Sequence, residues 1–223
     1  MKSPSNIQEA IKTMNDCIAE VRLWMLHNNL KIYDSKKECM VVGSKAALGK
    51  LDSMNIKIKV GLQTILPSAS VKNLGAFLDK DNSMQYQISN TIRTCYFHLR
   101  RIAKIKRHID HQTCAKVIHA CVTSRMDYHN ALLTNATSQQ IPQLQMVQNS
   151  DARMITGVKR SVHISPTLKQ LHWLPIINRI HFKVISLIHN AIYSLGAPKY
   201  LKDMIGFYQP PQNLRSSSDP QIL

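Results

Sequence analysis

Ten histidines and five cysteines in 223 residues make metal ligation the first chemistry to weigh. The closest histidine pair, in His108-Ile-Asp-His111, straddles an expected helix break, where Asp110 serves better as an N-cap. There is no His-Glu-x-x-His run, and no cysteine pair has the spacing to complete a zinc site. His181 and His189 are about 12 Å apart along a helix, too far to share an ion. Asp79 and Asp81 could face a divalent cation from alternate strand positions, but Asn82-Ser83 follows them and a turn is the better reading. Asp127 is a solitary acid, and Arg125 beside it offers a local ion pair. With no Gly-x-Ser-x-Gly, Walker loop or Gly-x-Gly-x-x-Gly, the expectation is no catalytic residue, no metal and no cofactor in this chain.

Charge points elsewhere. The chain carries 29 Lys+Arg against 13 Asp+Glu, a net +16. Residues 1–83 account for +4 of this and residues 84–223 for +12. Such a surplus in one part of a chain favours a polyanion, most simply nucleic acid. Arg93, Arg100, Lys104 and Arg107 fall within about 60° of one another on a helix, in a row roughly 20 Å long. No Asp or Glu lies between residues 84 and 108 to neutralise it. Arginine can grip phosphates bidentately, so the row is the first choice for backbone contact, with Lys159 and Arg160 second. No apolar run reaches transmembrane length and no lipidation signal occurs, so no membrane partner is expected. Widely spaced, odd-numbered cysteines without a secretory signal read as reduced thiols in an intracellular protein.

The elements that must position these groups follow from periodicity. Ile7, Ile11, Met14, Ile18, Val21 and Met25 form one stripe of a helix from Ser5, a plausible N-cap, to about Asn28. LKIYDSKKECMVVG, residues 30–43, reads as strand, turn at Asp34-Ser35, strand. IKIKV at 56–60 alternates as a third strand, and VKNLGAFLDKD looks like a fourth, with Gly75 inside it as a bulge. After Asp81 the period becomes helical. Ile88, Ile92, Cys95, Leu99 and Ile102 line one helix over residues 84–108. Asp110 caps a second, containing Cys114, Val117, Ile118, Cys121 and Val122. Ser138 caps a third, with Pro142 in its first turn, Leu144, Val147, Met154 and Ile155 inward, and Gly157 as its stop. Ser165-Pro166 starts a short helix, with Leu168, Leu171 and Trp173 packing after it. A last helix follows Pro175, with Ile177, Ile180, Val184 and Ile188 as its apolar stripe, and ends near Leu195-Gly196. The Pro/Ser-rich tail from Gln209 is expected to be loose.

Four ordered segments resemble the C-terminal part of reverse transcriptases from non-LTR (LINE-type, jockey-like) retrotransposons. The family's Ser-Arg-Leu-Asp-Tyr-Cys-Asn-Ala-Leu-Leu run is matched by Ser124, Arg125, Asp127, Tyr128, Asn130, Leu132 and Leu133. Its Leu-Gln-x-Val-Gln-Asn-Ser-Ala-Ala-Arg run is matched by Leu144, Gln145, Val147, Gln148, Asn149, Ser150 and Arg153. His172, Trp173, Leu174, Pro175, Arg179 and Ile180 match His-Trp-Leu-Pro-x-x-x-Arg-Ile, and Ala197, Pro198, Tyr200 and Leu201 match Ala-Pro-x-Tyr-Leu. Upstream, Lys36 and Glu38 are similar to the lysine and acid of a late palm strand, and Asn73, Leu74 and Gly75 resemble the core of the primer-grip hairpin. Asp151 departs from the family by standing where an alanine is usual, a charge expected to weaken its helix.

The resemblance implies a partial palm followed by a thumb that holds primer–template backbone. The implied fold is α+β, mostly α, with an antiparallel β palm remnant and N-terminal helix over 1–82. An α-helical thumb-like bundle would span 83–208, and a loose tail 209–223. The family's two-metal site needs an aspartate pair to hold Mg²⁺. No Asp-Asp dipeptide occurs here, and the chain begins just after the place where that turn should lie. The chain is thus expected to lack polymerase activity alone and to bind duplex or RNA–DNA hybrid backbone without sequence preference. The alternatives are one exon of an intact RNA-directed DNA polymerase, or a noncatalytic protein that self-associates through an exposed palm edge. A nuclear location would follow if the family role is retained.

Overall fold

The protein is seen in a computed structural model that describes residues 4–31, 33, 36–51, 56–60, 63–194, 196–208 and 221–222. It is α+β and mostly α, and divides into two compact units, Met1–Asn90 and Thr91–Leu223.

In the first unit, helix α1 spans Pro4–His27, so Ser5 lies inside its first turn. It ends on Asn29 at φ 57°, where the Leu30 amide bonds the Met25 carbonyl at 2.8 Å, a left-handed stop that asparagine tolerates. The inward stripe is not the expected one. Ile7, Ile11, Asn15, Ile18, Arg22 and Met25 are half-buried, while Met14 and Val21 are 51% and 48% exposed. Asn15 turns inward because its Oδ1 accepts the Lys59 amide at 3.0 Å, giving a strand N–H the partner it must have. That strand, β1 (Ile58–Val60), pairs antiparallel with β2 (Gln63–Ile65) and buries Ile58 and Val60.

The expected strand–turn–strand over residues 30–43 does not form among the described residues; its Asp34-Ser35 turn lies outside them. Its described backbone bonds distant residues and does not fold on itself. Cys39 bridges Pro67, the Gly43 amide bonds the Lys80 carbonyl at 3.1 Å, and the Glu38 carboxylate accepts the Lys72 amide at 3.1 Å. Helix α2 (Lys45–Leu51) follows, an element that periodicity did not reveal. VKNLGAFLDKD is a hairpin, not one bulged strand: β3 (Ser70–Asn73) pairs with β4 (Ala76–Asp79), Asn73 opposite Ala76. Leu74 (φ 48°) and Gly75 (φ 88°) make the two-residue turn, whose positive φ angles match the twist of the flanking strands. Asp79 closes it, accepting the Ser83 hydroxyl at 2.6 Å and the Met84 amide at 3.2 Å, so it serves the turn.

Helix α3 (Gln85–Ile105) buries Ile88, Cys95, Leu99 and Ile102, with Ile92 half-buried. It tightens into a 3₁₀ turn at Lys106–His108, short of the single helix expected to 108. Asp110 then caps α4 (His111–Ile118), accepting the Gln112 and Thr113 amides. The chain passes through a π turn, His119–Thr123, into α5 (Ser124–Asp127) and a 3₁₀ stretch at Asn130–Asn135. Helix α6 (Gln140–Thr156) is the centre of the second unit and packs on α4, α7 (Ser165–Gln170) and α8 (Ile176–Tyr193). Ser138 is not its cap. The N-cap is Gln139, and the Gln140 side chain reaches back to the Thr137 amide at 2.8 Å. Leu144, Val147, Ala152 and Ile155 are buried along α6 and Met154 is half-buried; Gly157 stops the helix at φ 74°. Helix α8 buries Ile176, Ile180 and Ala191, whereas Ile177 of the expected stripe is exposed. Helix α9 (Lys199–Asp203) and a strand pair, β5 (Phe207–Tyr208) with β6 (Gln221–Ile222), complete the unit. Of the tail expected to be loose, residues 209–220 lie outside the described residues, whereas Gln221 and Ile222 are held in β6 by pairing with Phe207 and Tyr208.

Candidate nucleic-acid interface

Arg93, Arg100 and Lys104 are all exposed on α3, on the side away from buried Cys95, Leu99 and Ile102. Arg107 is exposed too, but it sits in the 3₁₀ turn and so leaves the α-helical row; its Nε donates to His108 Nε2 at 2.9 Å. Arg101 lies over the exposed Phe97 ring at 5.6 Å, adding a stacked guanidinium beside the row. The local field is positive: desolvation, then Arg125 and Arg101, holds the His98 imidazole below its ordinary value. A cationic helix face with no acid between residues 84 and 108 attracts phosphate without reading base sequence.

Lys159 and Arg160 are exposed on the loop after α6, a separate element from α3. Arg153 ties that loop down, its Nη2 donating to the carbonyls of Val162 (3.0 Å) and Arg160 (3.5 Å). In the first unit Lys36 is exposed, its ammonium 5.5 Å from the Tyr33 ring centre. Asn73, Leu74 and Gly75 form the exposed tip of the β3–β4 hairpin. Among the described residues, no three His, Cys, Asp or Glu side chains converge to hold a metal ion. His111, one of the closest histidine pair, uses Nδ1 on the Ile155 carbonyl at 2.8 Å.

Several motif residues prove to join elements. Arg125 does not pair with Asp127: its Nη1 donates to the Cys121 carbonyl at 2.6 Å, and Ser124 Oγ donates to the Ala120 carbonyl at 2.6 Å. Both acceptors lie in the π turn, whose wider loop disturbs the ordinary helical bonding. Asp127 instead receives Arg179 Nη1 on both oxygens, each at 2.8 Å, which ties α5 to α8. From α6, Gln148 Nε2 donates to the Leu174 carbonyl at 2.8 Å, and Gln145 Oε1 accepts the Ile176 amide at 2.9 Å. The two glutamines clamp the Leu174–Ile176 connection and so set where α8 begins. Glutamines three apart on an otherwise apolar face were the sequence signal for this role.

Asp151 is the one acid of α6, and it is fully buried with no hydrogen-bond partner for either oxygen. Burial pushes its carboxyl up to about 8, against the opposing pull of Arg179. Burial, with the charge of Asp151 second, pushes the nearby Cys95 thiol up to about 12. Cys95 Sγ donates to the Val122 carbonyl, and all five cysteines are free thiols. Desolvation of this kind favours the neutral acid and thiol.

Among the described residues, no helix is long and apolar enough to cross a membrane. Compared with protein-family models, with curated proteins and with solved structures, the chain finds no match.

Proposed function

We propose that this chain is the late-palm and thumb part of a non-LTR reverse transcriptase, that it binds RNA or DNA backbone without sequence preference, and that it has no polymerase activity of its own. One observation carries the binding: three exposed cations on α3, continued by Arg107, with no acid between residues 84 and 108. Arginine forks on successive phosphates displace condensed counterions, so affinity must fall with salt. For four neutralised phosphates the slope of log K against log salt is about −3 to −4. The measurement is a binding isotherm on a short duplex or RNA–DNA hybrid at several salt concentrations. An affinity that stays flat with salt refutes the reading. Replacing Arg93, Arg100, Lys104 and Arg107 with Ala should weaken all sequences alike and flatten the slope.

The family assignment rests on the four ordered segments and is tested independently: coding sequence upstream of Met1 should, in an intact element, carry an in-frame Ala-Asp-Asp turn. Such a chain would be intracellular and would act in the nucleus. A second reading, self-association, is favoured by one specific observation: Met14, Val21, Leu23, Trp24 and Leu26 of α1 are exposed. A monodisperse monomer by light scattering at high concentration removes it.

A further inference from the structure

A cleft of about 350 Å³ in the second unit is lined by Asp127, Asn130, His172, Leu174, Arg179, Phe182 and Lys183. Five of these seven belong to two motif segments that lie far apart in sequence. Its chemistry is mixed. Lys183 is exposed, Arg179 is backed by Asp127, and the Phe182 ring is 64% exposed on the same helix. Asn130 is only 6% exposed, yet its Oδ1 has no partner. A buried amide oxygen left unpaired in the protein marks a place where a ligand or water donor is needed.

The backbone adds an independent sign. His172 follows α7 at φ 54°, where its amide bonds the Lys169 carbonyl (3.0 Å) and the Trp173 amide bonds the Leu168 carbonyl (2.8 Å). This is a helix stop in which glycine is the favoured residue, so a side chain there is held against its conformational preference. His129, beside Asn130, is likewise left-handed at φ 59°. Of the two, His172 lines the cleft, so its imidazole is presented there at a conformational cost.

We infer that the cleft receives one unpaired nucleotide of a single strand, its base on Phe182 and its phosphate on Lys183 and His172. Arg179, held by Asp127, faces the sugar-phosphate, and the Asn130 amide meets a donor on the base edge. A paired base cannot stack on a side chain, so the site distinguishes a single strand or frayed end from duplex. The inference takes its class of ligand from the nucleic-acid reading above, but it uses none of the α3 cations.

The test compares a single-stranded oligonucleotide with an abasic strand of equal length and charge, both titrated into the full chain. The base-bearing strand should bind about tenfold more tightly, the worth of one stacked base. Phe182→Ala should bring that ratio close to one. His172→Gly should weaken both strands by a similar factor while leaving or raising Tm, because it removes a phosphate contact and glycine relieves the backbone. The quadruple α3 variant should weaken both strands and leave the ratio intact. Equal binding of the two strands by the unmodified chain overturns the inference and leaves the backbone reading standing. So does a ratio that survives Phe182→Ala. If neither strand binds, both readings fall together.

Discussion

Helices α1 and α6 invert the usual relation between apolar pattern and burial. The stripe of α1 is the cleaner one in the sequence, yet none of its side chains from Ile7 to His27 is buried. Helix α6 is more polar, yet it buries Gln140, Leu144, Val147, Gln148, Asp151, Ala152 and Ile155. Periodicity tells which face of a helix prefers to leave water. Whether that face is covered depends on what packs over it, and α6 has α4, α7 and α8 around it. Polar residues then survive inside α6 only by bonding something specific, as Gln148 does, or by giving up charge, as Asp151 does.

Four measurements break or sharpen this contrast. Leu144→Ala should destabilise the second unit by about 2–5 kcal/mol in denaturant unfolding, since the surrounding helices cannot close the cavity. Asp151→Ala should change with pH. The folded carboxyl titrates near 8 and the unfolded one near 3.8, so the native state holds the extra proton between them. Stability must therefore fall as pH rises through that window, by at most about 1.4 kcal/mol per unit. The variant should lose this slope and gain on the parent from pH 5 to pH 8; parallel Tm curves would show that the carboxyl is not buried as described. Gln148→Leu should cost about 1–3 kcal/mol by stranding the Leu174 carbonyl. Val21→Ser on α1 should move stability by less than about 0.5 kcal/mol. A loss there as large as that at Leu144 would mean α1 is covered in solution, by a second copy or by another chain, and the contrast would fail.

Legibility followed the range of the interactions. Local signals were read well: the α3 stripe, the Asp110 cap, the Gly157 stop and the Ser165-Pro166 start all depend on neighbours within one turn. The residue 30–43 segment was misread because its partners lie at Pro67, Lys72 and Lys80. The same limit put Asp127 with Arg125, two residues before it, when its partner Arg179 stands 52 residues on. Of the candidate interface, the cations were visible as charge and spacing, and the structure leaves them exposed. The cleft was not visible, because only the folding of α5 against α8 brings its two segments together.

The π turn at His119–Thr123 acts as a phase corrector. Cys114, Ile118, Val122 and Met126 are all buried at intervals of four. In an unbroken α-helix that interval drifts by about 40° each step, and after three steps Met126 would have rotated away from the core. The wider turn absorbs the drift and delivers Asp127, one residue later, to Arg179. Deleting a single residue between 119 and 123 would therefore leave helix content almost unchanged. It would also keep Met126 within about 20° of the Cys114 face, because eleven residues of plain α-helix complete three turns, so the two walls of the cleft should stay together.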